Sequence, residues 1–534
     1  MTRGLLVGAV LMLAASALVP AAVNDAVRTD AGLLSGEAAQ GGVRAFKGVP
    51  FGAPPVGNLR WKAPQPVEKW QGVRKADAYG PVCVQPKGVG RLNVSVDLPD
   101  SPKASEDCLY LNVWTAAASP SEKRPVMVWI FGGAYTEGAG SSKHNEGYEL
   151  AKKGVVLVTF NYRLGPFGFF SHPELSKESG RNTSGNYALM DAIAALRWVQ
   201  ANIAAFGGDS RNVTIFGESA GAAMIGGLVG SPETRGLFQR AISESGAWMG
   251  LSMAPMRPLA SAEDAGLKAA TAMGATSLAD LRAKSAEEIT KGIRGAGMVI
   301  DGWIVPEDES ITFAQGRQQP VDVLVGSNKD EGSFTGGRTV KAEDLKTRIR
   351  MQWGDLADRV LALYPANTDE EATASSELQF RDNMAWHMRV FADAQARRGK
   401  KAWLYFFTHE PPHAPGVRNL RATHTAEIPY VFNNLSAPRV YPDASSPELA
   451  SASARERAFA EVVSSYWVNF AKSGDPNGKG LPPWPAYRDG KPFVLGDAMD
   501  SKEPPDPAKM ALYDELYKKQ MAGYGTKATA SRQR

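Results

Sequence analysis

The 534-residue chain is predicted to be an α/β protein, with a mostly parallel central sheet and helices on both faces. Three observations predict it. Short β-branched or aromatic runs bounded by turn residues recur along the chain, segments with helical spacing separate them, and strand, helix and strand follow one another in an order that needs a right-handed crossover. The composition agrees, with 43% hydrophobic and 22% charged residues, as in globular proteins. Lys and Arg number 60 against 56 Asp and Glu, and a formal charge of +4 excludes a dedicated nucleic-acid surface.

The chain opens on Met1-Thr2-Arg3, an apolar run from Gly4 to Val19, and the small-residue stretch Pro20-Ala21-Ala22. Charge, apolar core and small residues in that order predict a signal peptide over residues 1–22, and a mature protein that is secreted or periplasmic. An N-terminal anchor helix is the alternative. The run is shorter than the ~20 residues that a span needs, so stable membrane insertion is not expected. The two cysteines, Cys83 and Cys108, both fall in the exported part and suggest one disulfide; two separate buried thiols are the alternative.

After a Gly- and Pro-rich opening (Phe46 to Trp70), buried strands are predicted at Pro125–Ile130, Val155–Phe160, Val213–Phe216, Val321–Val325 and Ala402–Phe407. A helix is predicted from Asn186 to Gln200, between the second and third. Pro255–Lys291 and Lys341–Arg398 are Ala-rich and helical, and are expected as insertions roofing the C-terminal edge of the sheet, where such folds place ligands. Residues 23–517 then make one domain with insertions. Residues 518–534, basic and poor in apolar residues, are expected as a flexible tail.

The candidate chemistry centres on Gly217-Glu218-Ser219-Ala220-Gly221, which follows a strand and opens the small-residue helix Ala220–Gly230. That context fits a nucleophile elbow, in which flanking glycines allow a sharp turn that exposes the serine hydroxyl. A small-residue strand-helix junction is the bland reading. A serine nucleophile needs a base, and the chain has six histidines. His424 lies in a loop beyond the strand Ala402–Phe407, with His409 and His413 as rivals nearer to it. An acid to orient the base is offered by Asp330 or Glu331, directly after the strand Val321–Val325; spacing leaves both open. The turn Ile130-Phe-Gly-Gly-Ala-Tyr135 offers the amides of Gly133 and Ala134, with that of Ala220, for an oxyanion. No His or Cys pair has metal-ligand spacing, so neither a metal nor an organic cofactor is expected.

Ordered matches along nearly the whole mature length give the chain a resemblance to the type-B carboxylesterase and cholinesterase family of α/β-hydrolases. They are Phe46-Lys-Gly-Val-Pro-Phe-Gly-Ala-Pro-Pro-Val-Gly-Asn-Leu-Arg60, Glu106-Asp-Cys-Leu-Tyr-Leu-Asn-Val-Trp114, Asn161-Tyr-Arg-Leu-Gly165, Phe206-Gly-Gly-Asp209 with the elbow, Asn328-Lys-Asp-Glu-Gly332, and Trp467 through Trp484-Pro485. The resemblance implies the α/β-hydrolase fold with helical insertions over the active site. It implies Glu331 as the acid, His424 as the base, Ser219 as the nucleophile, and Gly133, Ala134 and Ala220 as the oxyanion donors. It further implies a Cys83–Cys108 bridge and a supporting role for Ser245. Three departures bear on substrates. Phe131 stands where many relatives have His or Tyr, and Ala134 replaces a glycine, which narrows the space for bulky groups. No tryptophan lies between the two cysteines, so the cation-π platform that cholinesterases use is absent and choline esters are not expected.

The expected function is a secreted serine carboxylesterase that cleaves small-molecule esters through an acyl-enzyme. An acyltransferase or amidase with the same triad is the alternative within enzymes. A binding homologue without catalysis is the alternative outside them. The sequence leaves oligomeric state and the natural ester open.

Overall fold

The runs of Val, Ile, Leu and aromatic residues that mark the predicted strands converge, in a computed structural model of the chain, on one nine-stranded sheet. The structure describes residues 26–86, 103–246, 256–295, 297–335, 338–413, 416, 418–436, 452–500 and 506–531. The predicted signal peptide lies outside them. In chain order the strands are β1 (Arg44–Pro50), β2 (Tyr110–Thr115), β3 (Arg124–Ile130), β4 (Val156–Phe160), β5 (Gly208–Glu218), β6 (Arg240–Glu244), β7 (Asp322–Asn328), β8 (Ala402–Phe407) and β9 (Phe493–Leu495). Their spatial order is β9-β8-β7-β6-β5-β3-β4-β2-β1. Strands β3 to β9 run parallel, and β2 runs antiparallel to both β1 and β4.

Parallel strands covered on both faces need continuous apolar sequence rather than alternation. Strand β3 meets that need, since Val126 to Ile130 are all buried, as are all five residues of β4. Strands β1, β2, β6 and β9 escape the sequence reading because they are short or carry polar residues such as Asn112 and Ser243, which periodicity alone does not assign to a core.

The longer helices are α1 (Tyr187–Asn202), α2 (Ala220–Gly230), α3 (Leu259–Ala272), α4 (Ala342–Trp353), α5 (Asp369–Arg397), α6 (Ala454–Ser473) and α7 (Pro507–Ser531). Helix α1 makes the crossover from β4 to β5. Helix α2 is nearly all Ala, Gly and aliphatic residues and is buried from Ala220 to Val229, so no polar face is needed. Short helices at Leu278–Ala283 and Ala286–Gly292 follow α3, each opened by a serine capping box at Ser277 or Ser285. The first insertion, expected as helical, also carries the two-residue strand Arg257–Pro258, paired with Val299–Ile300.

Helix α7 runs on beyond Lys518 to Ser531. Its first half is held by packing. Met510, Leu512, Tyr513 and Leu516 are buried, Tyr517 donates to the Ser310 carbonyl at 2.9 Å, and Lys519 pairs with Asp355 at 2.9 Å. Helix propagation from an anchored first half then costs little per added residue.

Candidate active site

Strands β5, β6, β7 and β8 end at one edge of the sheet, and the candidate residues follow those ends. Ser219 stands between β5 and α2 with φ 55° and ψ −121°. A non-glycine residue held there stores on the order of 1–3 kcal/mol of strain. The fold imposes it, since the Ser219 amide donates to the Glu244 carbonyl at 2.9 Å and the Ser219 carbonyl accepts from Ala223 at 2.9 Å. The flanking glycines are obligatory for close approach. A Cβ at Gly217 would sit 2.4 Å, and one at Gly221 2.0 Å, from the Ile130 carbonyl oxygen of the adjacent β3.

His424 is buried, with Nε2 2.8 Å from Ser219 Oγ and Nδ1 2.6 Å from Glu331 Oε2. Glu331 is fully buried at the end of β7, and its other oxygen accepts from Ser245 Oγ at 2.5 Å and from the Asn328 amide at 2.7 Å. Both carboxylate oxygens are thereby occupied, which fixes the group. Asp330, the rival acid, faces away and pairs with Arg421 at 3.0 Å. The rival histidines are elsewhere. His409 meets Glu456 at 3.0 Å beneath Tyr430, and His413 is exposed.

The turn after β3 holds Gly133 at φ 105° and Ala134 at φ 51°. It backs directly onto the elbow, because a Cβ at Gly132 would lie 2.9 Å from that of Ser219. Among the described residues, no backbone carbonyl accepts from the amides of Gly133, Ala134 or Ala220, which leaves them available to an oxyanion. Phe131 stacks on Tyr162 at 4.3 Å, so its ring is spent on packing below the turn. Phe334 and Phe380 flank the imidazole at 5.5 and 5.7 Å, the latter from α5 in the second helical insertion.

Sequence reasoning missed the carboxylates that surround this line. Glu218 Oε1 lies 3.1 Å from His424 Nε2, and Glu427 Oε2 accepts from Asn328 Nδ2 at 2.5 Å. Their signals were present, one beside the serine and the other three residues beyond the histidine. Burial opposes protonation of His424, but Glu218 and then Glu331 outweigh it and raise the imidazole to about 9. Burial also pushes Glu218 well above the usual carboxylate range. Glu427, raised by burial and by Glu331, reaches about 7. Among the described residues no three His, Cys, Asp or Glu side chains form a group able to hold a metal ion.

Away from this edge, Cys83 and Cys108 form a disulfide, with Cα atoms 5.0 Å apart. No helix among the described residues is long and apolar enough to cross a membrane.

Comparison with known proteins gives a consistent set. The model of the carboxylesterase family matches residues 23–509. The chain is 38% identical over 507 residues to the fumonisin B1 esterase of Sphingopyxis macrogoltabida, covering 92% of this chain and 91% of that protein. It is 35% identical over 487 residues to the para-nitrobenzyl esterase of Bacillus subtilis (strain 168), covering 87% and 93%. A solved PNB esterase structure superposes with a TM-score of 0.79 at 33% identity, covering 91% of this chain and 99% of that one.

Proposed function

The chain belongs to the carboxylesterase family and is a carboxylic ester hydrolase with the α/β-hydrolase fold, and from that premise we propose that it works through a Ser219-His424-Glu331 triad. The observation that carries the proposal is the unbroken hydrogen-bonded line from Ser219 Oγ through both nitrogens of His424 to Glu331. Ser219 Oγ attacks the ester carbonyl carbon as its proton passes to His424 Nε2. The negative oxygen of the tetrahedral intermediate is met by the amides of Gly133, Ala134 and Ala220. His424 then gives its proton to the departing alcohol oxygen, leaving an acyl group on Ser219. Water adds to that acyl group by the same route, releasing the acid and restoring the serine. Glu331 holds the Nδ1–H tautomer and balances the imidazolium, and Ser245 anchors Glu331 from behind.

In the same reading residues 1–22 are a cleaved leader and the mature enzyme is secreted or periplasmic. The charged, apolar and small-residue order of the leader supports this, as does a disulfide suited to an oxidising compartment. N-terminal sequencing of protein recovered from medium or periplasm tests it, with a first residue near position 23 expected. The triad is tested by labelling with a p-nitrophenyl phosphonate and mapping the adduct by mass spectrometry. One adduct per chain on the Ser219 peptide is expected; an adduct elsewhere, or none in active enzyme, contradicts the assignment.

A further inference from the structure

The opposite edge of the sheet carries a feature that ester hydrolysis does not use. A cleft of about 630 Å³ opens at the N-terminal ends of β6 and β7, within the size range of small-molecule sites. Five cations line it: Arg235, Arg240, Arg317, Arg398 and Lys400. Its lining contains one carboxylate, Asp322, whose charge acts on Arg240 and whose Oδ1 accepts from the Lys401 amide at 3.0 Å. Arg317 is paired with Glu307, and Arg240 donates to Asn212 and to the Ala471 carbonyl. Arg235, Arg398 and Lys400 have no ion-pair or side-chain hydrogen-bond partner among the described residues.

One further donor in the lining is unsatisfied: Arg240 Nε is buried without an acceptor among the described residues. Like charges gathered around one concave space repel one another, and an anion removes that cost. Guanidinium groups match phosphate and carboxylate alike, because both present paired oxygens to the fork of N–H donors.

We propose that this cleft is a second, non-catalytic binding site for a small polyvalent anion, an organic phosphate or a polycarboxylate. Strand β6 separates it from the elbow, at roughly 3.3 Å per residue, so an occupant leaves the ester site open. The site is independent of the proposed triad. Isothermal titration with pyrophosphate and with citrate tests it, on the wild type, on Ser219→Ala, and on the combined Arg235→Ser, Arg398→Ser and Lys400→Ser variant. Saturable binding of at least one probe is expected, equal in wild type and Ser219→Ala, and about ten-fold or more weaker in the triple variant, as loss of charged hydrogen bonds implies. The triple variant should hydrolyse p-nitrophenyl acetate at the wild-type rate and melt at the wild-type temperature. The tighter probe identifies phosphate or carboxylate as the chemistry. Absence of saturable binding by both probes, or equal affinity in the folded triple variant, would overturn the proposal.

Discussion

At Ser219, a backbone conformation that L residues avoid is what presents the hydroxyl to His424, and in the proposed triad the carboxylates around that histidine set when it acts. A general base must be uncharged, so an imidazole raised above its ordinary range requires a higher pH before kcat/KM reaches its plateau. The acidic limb is expected to lie above 6.5, the ordinary value of histidine. Glu218→Gln removes one raising charge and should move the limb down, read as a pH-rate profile. Glu331→Gln should keep the fold and lower kcat by about 10⁴, as loss of the orienting carboxylate does in other triads. Ala134→Gly retains the amide and relieves the φ of 51°, so acetate ester turnover should persist while bulky acyl or alcohol groups gain relative to wild type. Spacing in the sequence placed Asp330 and Glu331 on equal terms. What separates them is side-chain direction, Asp330 toward Arg421 and Glu331 toward His424, which no local pattern encodes. Glu218 was legible only as a filler within the elbow, because its relation to His424 joins residues 206 positions apart.

At the scale of elements, the tight contact of β3, β5 and α2 converts a strand end into a site. Gly221→Ala drives a methyl against the Ile130 carbonyl, with no flexible side chain to move aside. It should destabilise by about 1–3 kcal/mol, as overpacking does, and abolish esterase activity; thermal unfolding and p-nitrophenyl acetate turnover measure both. Helix α5 reaches over the edge and sets Phe380 beside the imidazole, so Phe380→Ala should shift the preferred acyl chain length while leaving stability nearly intact. The five long apolar strands and α1 were legible because burial on both faces leaves an uninterrupted signature. Strands such as β9, of three residues, were not, since their pairing depends on β8 being in place. Helix α7 likewise depends on tertiary contacts, from Met510 to Tyr517, upstream of the basic stretch that composition alone described.

Across the whole molecule, parallel topology sends the candidate residues to one edge of the sheet and the cationic cleft to the other, so chemistry and anion binding are separable. The Cys83–Cys108 bridge closes a loop ahead of the sheet's central strands; replacing both cysteines by serine should lower unfolding free energy by about 3 kcal/mol in the chain-entropy view, measured by urea denaturation without reductant. Family membership was legible because its motifs are dispersed along the whole chain, whereas the substrate is set by loops and insertions that motifs do not describe. The most direct test of the account is a stopped-flow burst with p-nitrophenyl esters, comparing wild type and Ser219→Ala. The account predicts a burst near one p-nitrophenol per wild-type chain, followed by slower turnover when deacylation limits, and neither phase above background in the folded variant. Wild-type turnover that survives intact in Ser219→Ala would contradict it.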